Sequence, residues 1–126
     1  MNVKNIRELK NKTIVEISGL RNGGNIVELR CDDGSCYTLQ NLHYSRKDVY
    51  IDDIKGNTED LLNSPITKVK RTSVTMYVLP YGSGKEYKVV WSVFKFGTQK
   101  GKVEISWRGE AHRKSSAKVR LIQILE

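Results

Sequence analysis

Cysteine, proline, histidine, phenylalanine and tryptophan each occur only twice in this chain of 126 residues. Two cysteines are too few for a disulfide framework or a Cys-rich zinc module. Two prolines and ten glycines exclude a collagen-like or proline-rich chain. No window approaches the roughly 20 apolar residues of a membrane-spanning helix. The first residues, MNVKNIRELKNK, lack the apolar stretch of a secretory signal. These absences lead us to expect a cytoplasmic protein with no membrane partner. Hydrophobic residues make up 38% and charged residues 29%, the balance of a globular domain, and the length suits a single domain over 1–126.

Positive charge is what the chain has in excess. Lysine and arginine number 22 against 14 acids, a formal net charge of +8. Residues 61–120 hold thirteen basic and three acidic side chains, a net +10, whereas residues 21–60 hold five basic and eight acidic, a net −3. Such asymmetry suits a phosphate-bearing partner or an acidic protein surface. A solvated, soluble face is the plain alternative.

The apolar period is mostly two rather than 3.6, which predicts strands. Candidates are 13–18, 25–31, 36–40, 48–54, 68–79, 86–96, 102–108 and 117–125. Asp32-Asp33-Gly34-Ser35 reads as a four-residue turn joining 25–31 to 36–40. One short helix is expected at Thr58–Leu62, capped by Asn57 or Thr58 and stopped before Pro65. In 86–96, Val89, Trp91 and Val93 share one face while Val90, Phe94 and Phe96 share the other. That strand belongs inside a sandwich or against a partner. A slip of the apolar register between Leu121 and Ile122 predicts a bulge. The fold expected is mainly β: an antiparallel β-sandwich or strongly curved sheet of about seven or eight strands with one short helix. Its backbone would be 86–125, including a hairpin of 102–108 with 118–124.

Several motifs fail on spacing. Gly82-Ser83-Gly84-Lys85 resembles the end of a phosphate-binding loop, but Leu79 and Glu86 stand where glycine and serine or threonine belong, so it reads as a turn. Asp32-Asp33-Gly34 and Asp52-Asp53 lack the alternating oxygen ligands of a calcium loop. His43 and His112 have serines nearby (Ser45, Ser115, Ser116), but no nucleophile signature accompanies them. No catalytic residue, metal ligand or cofactor is therefore assigned. Cys31 and Cys36 flank the turn as two half-buried thiols, and whether they ever pair is left open.

The basic clusters carry more information. Arg108, Arg113, Lys114, Lys118 and Arg120 are the first candidates for binding phosphate, with Lys102, Arg108, Lys118 and Arg120 forming one outward row. Like charges on one face repel unless an anion lies over them. Lys70 and Arg71, beside Lys68, form a second group, and Arg46 and Lys47, beside Tyr44, a third. Tyr44, Tyr77, Tyr81 and Tyr87 could stack on a base where they are exposed.

Asp33-Gly34 with Tyr37 and Leu39, the run Val49–Gly56, Asp60-Leu61, Pro65-Ile66, and Trp91, Phe94-Lys95, Thr98–Gly101, Val103, Ile105, Trp107 and Gly109 appear in one order. In that order the chain resembles a family of small, functionally uncharacterised phage and prophage proteins, over roughly residues 9–124. The resemblance implies a β-rich fold and a viral origin, and no reaction or ligand. Two places depart from it. Family members carry a Cys-Cys-Glu run where this chain has Arg46-Lys47-Asp48, and a neutral loop where it has Glu110–Ser116. Both replacements are basic.

The function expected is therefore non-enzymatic. It is that of a phage accessory protein, acting against host defence in the host cytoplasm, that binds a phosphorylated host ligand such as a nucleotide second messenger. An inhibitor of a host defence protein or protein–nucleic-acid complex is the alternative, and non-specific nucleic-acid binding a further one. A homo-oligomer fits any of them.

Overall fold

A computed structural model describes residues 3–41, 49–78, 87–112 and 122–126. Among these residues the chain forms nine strands in two antiparallel sheets. The first sheet holds β1 (Val3–Lys4), β2 (Ile14–Ser18), β3 (Val27–Cys31), β4 (Cys36–Gln40) and β9 (Gln123–Leu125), in the order β1-β9-β4-β3-β2. The second holds β5 (Val49–Lys55), β6 (Lys68–Val78), β7 (Tyr87–Thr98) and β8 (Gly101–His112), in the order β5-β8-β7-β6. The arrangement is the sandwich that the alternating sequence predicts. Its expected helix is a 3-10 turn, Thr58–Leu61, capped by the Asn57 side chain, and a second such turn, Ile6–Leu9, is capped by Asn5.

One core joins the sheets. Val27, Leu29, Leu39 and Ile124 from the first meet Ile51, Phe94, Ile105 and Trp107 from the second. Phe94 packs edge-on against Trp107 with ring centroids 5.2 Å apart, the geometry aromatic quadrupoles favour. The short hairpin between β7 and β8 is pinned to the Thr58–Leu61 turn. Thr98 Oγ1 donates to the Asp60 carbonyl at 2.6 Å, and Lys100 Nζ donates to the Leu62 carbonyl at 2.7 Å. The sequence blocks that carry the family resemblance, Asp60-Leu61 and Thr98–Gly101, are thus two halves of one structural contact.

Three expectations need correction. The described part of 118–124 does not pair with residues 102–108. β8 is flanked by β5 and β7, and β9 pairs with β4 and β1 in the other sheet. β7 offers β8 a partner along its whole length, so β8 also runs on through Gly109 to His112. The β3–β4 loop has three residues rather than four: Cys31 N donates to the Ser35 carbonyl, and Gly34 takes the left-handed φ of +87° that closes such loops. Cys36 therefore stands opposite Arg30, not Cys31. Cys31 is buried and Cys36 exposed, on opposite faces of the hairpin, and both are free thiols. Burial pushes the Cys31 thiol above its ordinary pKa. The bulge expected beside Leu121 and the Gly82–Lys85 turn lie outside the described residues.

Candidate anion-binding site

Strand alternation gives the four-stranded sheet an inner and an outer face. In β8, Val103, Ile105 and Trp107 are buried, while Lys102, Glu104, Ser106 and Arg108 point outward. Pairing carries that division across the sheet. One outer row reads Lys55, Glu104, Lys95, Lys70, each residue opposite the next. The adjoining row reads Lys102, Gly97, Lys68. Together they line an open depression of about 340 Å³, which holds five lysines and one carboxylate.

Two local features create the depression. Gly97 sits between Lys68 and Lys102, and a Cβ there would lie 3.3 Å from Lys68 Cβ and 3.9 Å from Lys102 Cγ. Without it, backbone forms the floor between the two lysine stems. The second feature is a bulge. The β5–β8 register shifts between Ile51 and Asp53, so Asp52 is an extra residue. Upstream of the bulge, Val49 and Ile51 face the core; downstream, Ile54 is the inward residue and Lys55 turns outward. In an unbroken strand Lys55 would share the inward face of Ile51. The bulge therefore aims Lys55 into the depression. Asp52 accepts a hydrogen bond from Trp91 Nε1 at 2.9 Å, on the same outer face.

The lysines are exposed at their heads while their stems build apolar walls. Ion pairs among the described residues use Lys4, Lys12, Arg30 and Arg108; none uses Lys55, Lys68, Lys70, Lys95 or Lys102. Five like charges around one carboxylate leave a net positive potential and favour an anion over them.

Sequence reasoning reached this site only in part. Lys70 lines it, and so does its neighbour Lys68. Arg71, predicted to act beside Lys70, does not. Adjacent strand residues face opposite sides, and its guanidinium lies over the Phe94 ring, 4.9 Å from the centroid, donating to the Ile122 carbonyl. It ties β6 to the core. Arg108 is on the outer face, four residues along β8 from Glu104, about 13 Å away at strand rise. Its guanidinium lies 3.4 Å from Glu110 and 3.5 Å from the Tyr50 hydroxyl, so it is already partnered. Of the expected outward row, Lys102 and Arg108 are outward on β8, and the other two members lie outside the described residues. Arg46, Lys47, Arg113, Lys114, Lys118 and Arg120 lie outside the described residues, as do Tyr44 and Tyr81. Tyr77 is exposed, but on the opposite face of the sheet from the lysines. Lys55 and Lys95 were missed because each stands alone in the sequence. The available signal for Lys55 was Ile51-Asp52-Asp53-Ile54, where two apolar residues three apart in a period-two strand require a bulge.

Neither a curated protein nor a solved structure matches the chain. A family model described as a domain of unknown function, DUF7448, matches residues 7–114, well over half the sequence. It takes in all five lysines, the bulge of β5 and the Thr98–Gly101 hairpin, and on that extent of match the chain belongs to the DUF7448 family.

Proposed function

We propose that this protein binds, without turning it over, a small ligand bearing linked phosphates, in the lysine-lined depression of the β5-β8-β7-β6 sheet. The observation that carries the reading is the convergence of five lysines, none ion-paired among the described residues, around a bare glycine floor. Lysine supplies compact point charges on flexible stems, which suit a phosphate chain of variable geometry better than one planar carboxylate. The volume falls at the lower end of small-molecule sites. Its lining offers charge and hydrogen-bond donors suited to holding phosphate oxygens.

A nucleotide is the favoured ligand. Trp91 lies on the same face as Lys95, four residues away in β7, about 13 Å at strand rise. A base stacked on its half-buried ring would leave a phosphate chain over the lysines. With the family resemblance to phage and prophage proteins, the setting we propose is a host cytoplasm. There the protein would hold a host nucleotide signal away from a defence system.

Isothermal titration with inorganic triphosphate and with a nucleoside triphosphate tests the reading. The variant Lys70→Gln/Lys95→Gln should weaken both by about 10-fold or more, with its melting temperature nearly unchanged. Trp91→Ala should weaken the nucleotide and spare the inorganic anion. Equal affinity of wild type and the lysine variant would overturn the site. Binding of duplex DNA in preference to either small anion would move the reading to nucleic acid.

A further inference from the structure

The outermost strand of the same sheet has a second property, independent of the lysines. β6 pairs with β7 from Lys68 to Val78 without a register shift, and among the described residues no strand pairs with its other edge. Thr72–Val78 contains no charged residue, proline or glycine. Within it Val74, Met76 and Tyr77 are 54%, 55% and 55% exposed. A long, regular, uncharged edge offers its free N–H and C=O groups to another strand, and proteins ordinarily blunt such edges with charge, proline or a bulge. Here the charges, Lys68, Lys70 and Arg71, stand at one end only.

We infer that two copies of this chain join through β6, antiparallel and centred on Thr75, so that the two four-stranded sheets become one continuous sheet. The residues of the strand select both occupant and direction. Parallel pairing would set Lys68, Lys70 and Arg71 against their own copies, and like charges directly opposite destabilise a ladder. In a chain of net charge +8 that repulsion adds to the general one. Antiparallel pairing about Thr75 sends the cations to opposite ends and keeps the seam neutral. It places Val74 of one copy opposite Met76 of the other, twice, on the outer face. Ser73 then meets Tyr77 on the inner side. The same patch serves both copies, as a two-fold interface requires. A foreign strand would gain the backbone bonds but not this reciprocal match.

Sedimentation velocity of the full chain across the micromolar range tests the seam. The wild type should sediment as a dimer. Val74→Lys/Met76→Lys sets like charges opposite each other and should weaken association by on the order of 10-fold or more, with an unchanged circular dichroism spectrum. Val74→Lys/Met76→Glu sets unlike charges opposite each other in this register alone, and should restore the dimer. A monomeric wild type, a dimer that survives the double lysine variant, or failure of the lysine–glutamate variant to recover would each overturn the proposal.

Discussion

At the scale of single residues, the depression's chemistry turns on Glu104. It is the one carboxylate among five lysines, cross-strand from both Lys55 and Lys95. Glu104→Gln removes the only negative charge that the described residues bring to the lining. It should tighten inorganic triphosphate by about 3- to 10-fold at low salt, and the gain should fade as salt is raised. Titrations at two ionic strengths check this. Gly56 has a different duty. It has a φ of +96°, and a Cβ there would lie 2.2 Å from the Lys102 carbonyl oxygen. Gly34 has a similar φ of +87° but open space around it. Gly34→Ala should therefore cost about 1–2 kcal/mol from strain alone, and Gly56→Ala distinctly more, as urea unfolding would read. Trp107 is fully buried, and its indole N–H has no acceptor among the described residues. Trp107→Ala should cost about 3–5 kcal/mol. Trp107→Phe keeps a ring against Phe94 and deletes the orphan donor, so it should cost only about 1–2 kcal/mol.

At the scale of elements, the β3–β4 hairpin carries the clearest pH dependence. Lys12 donates to the Asp33 carboxylate, as does Ser35 through both its hydroxyl and its backbone N–H. The Lys12 ammonium first, then the Ser35 bonds, hold the Asp33 carboxyl well below its usual range. The same contact raises Lys12 above its ordinary pKa. A depressed carboxyl contributes stability that is present above its unfolded pKa, near 3.8, and lost as pH falls through its folded value. The raised lysine contributes fully below 10.5 and loses that contribution as pH rises through its folded value. Asp33→Asn should accordingly lower the melting temperature at neutral pH, with the difference closing below about pH 4. Melts of both proteins across acid pH check it. Strands were legible because alternation states directly which residues face the core, as in Val103, Ile105 and Trp107. What alternation cannot state is which strand lies beside which. Lys55, Lys70, Lys95 and Lys102 come from four strands, and only the order β5-β8-β7-β6 brings them together. Arg71 shows the converse: a cation one residue from Lys70 belongs to the opposite face.

At the scale of the whole molecule, the net charge of +8 sets how association responds to salt. Binding of a polyanion to the lysine face should weaken steeply between low and physiological ionic strength, whereas a neutral β6 seam, opposed only by the general repulsion between the copies, should hold or tighten. Titration and sedimentation at matched salt would separate the two. The strand order has one more consequence, and it concerns time. β5–β8 lie consecutively in the chain and complete a sheet among the described residues, whereas among those residues β1 pairs only with β9, with Val3 opposite Leu125. During synthesis the second sheet can close while the first still lacks the strand between β1 and β4. At ribosomal speeds of about 5–20 residues per second, β1 waits roughly 6–24 s for that partner. Until then the Leu39 side of the nascent domain has no Ile124 beside it, which makes this interval the one in which a chaperone has most to cover.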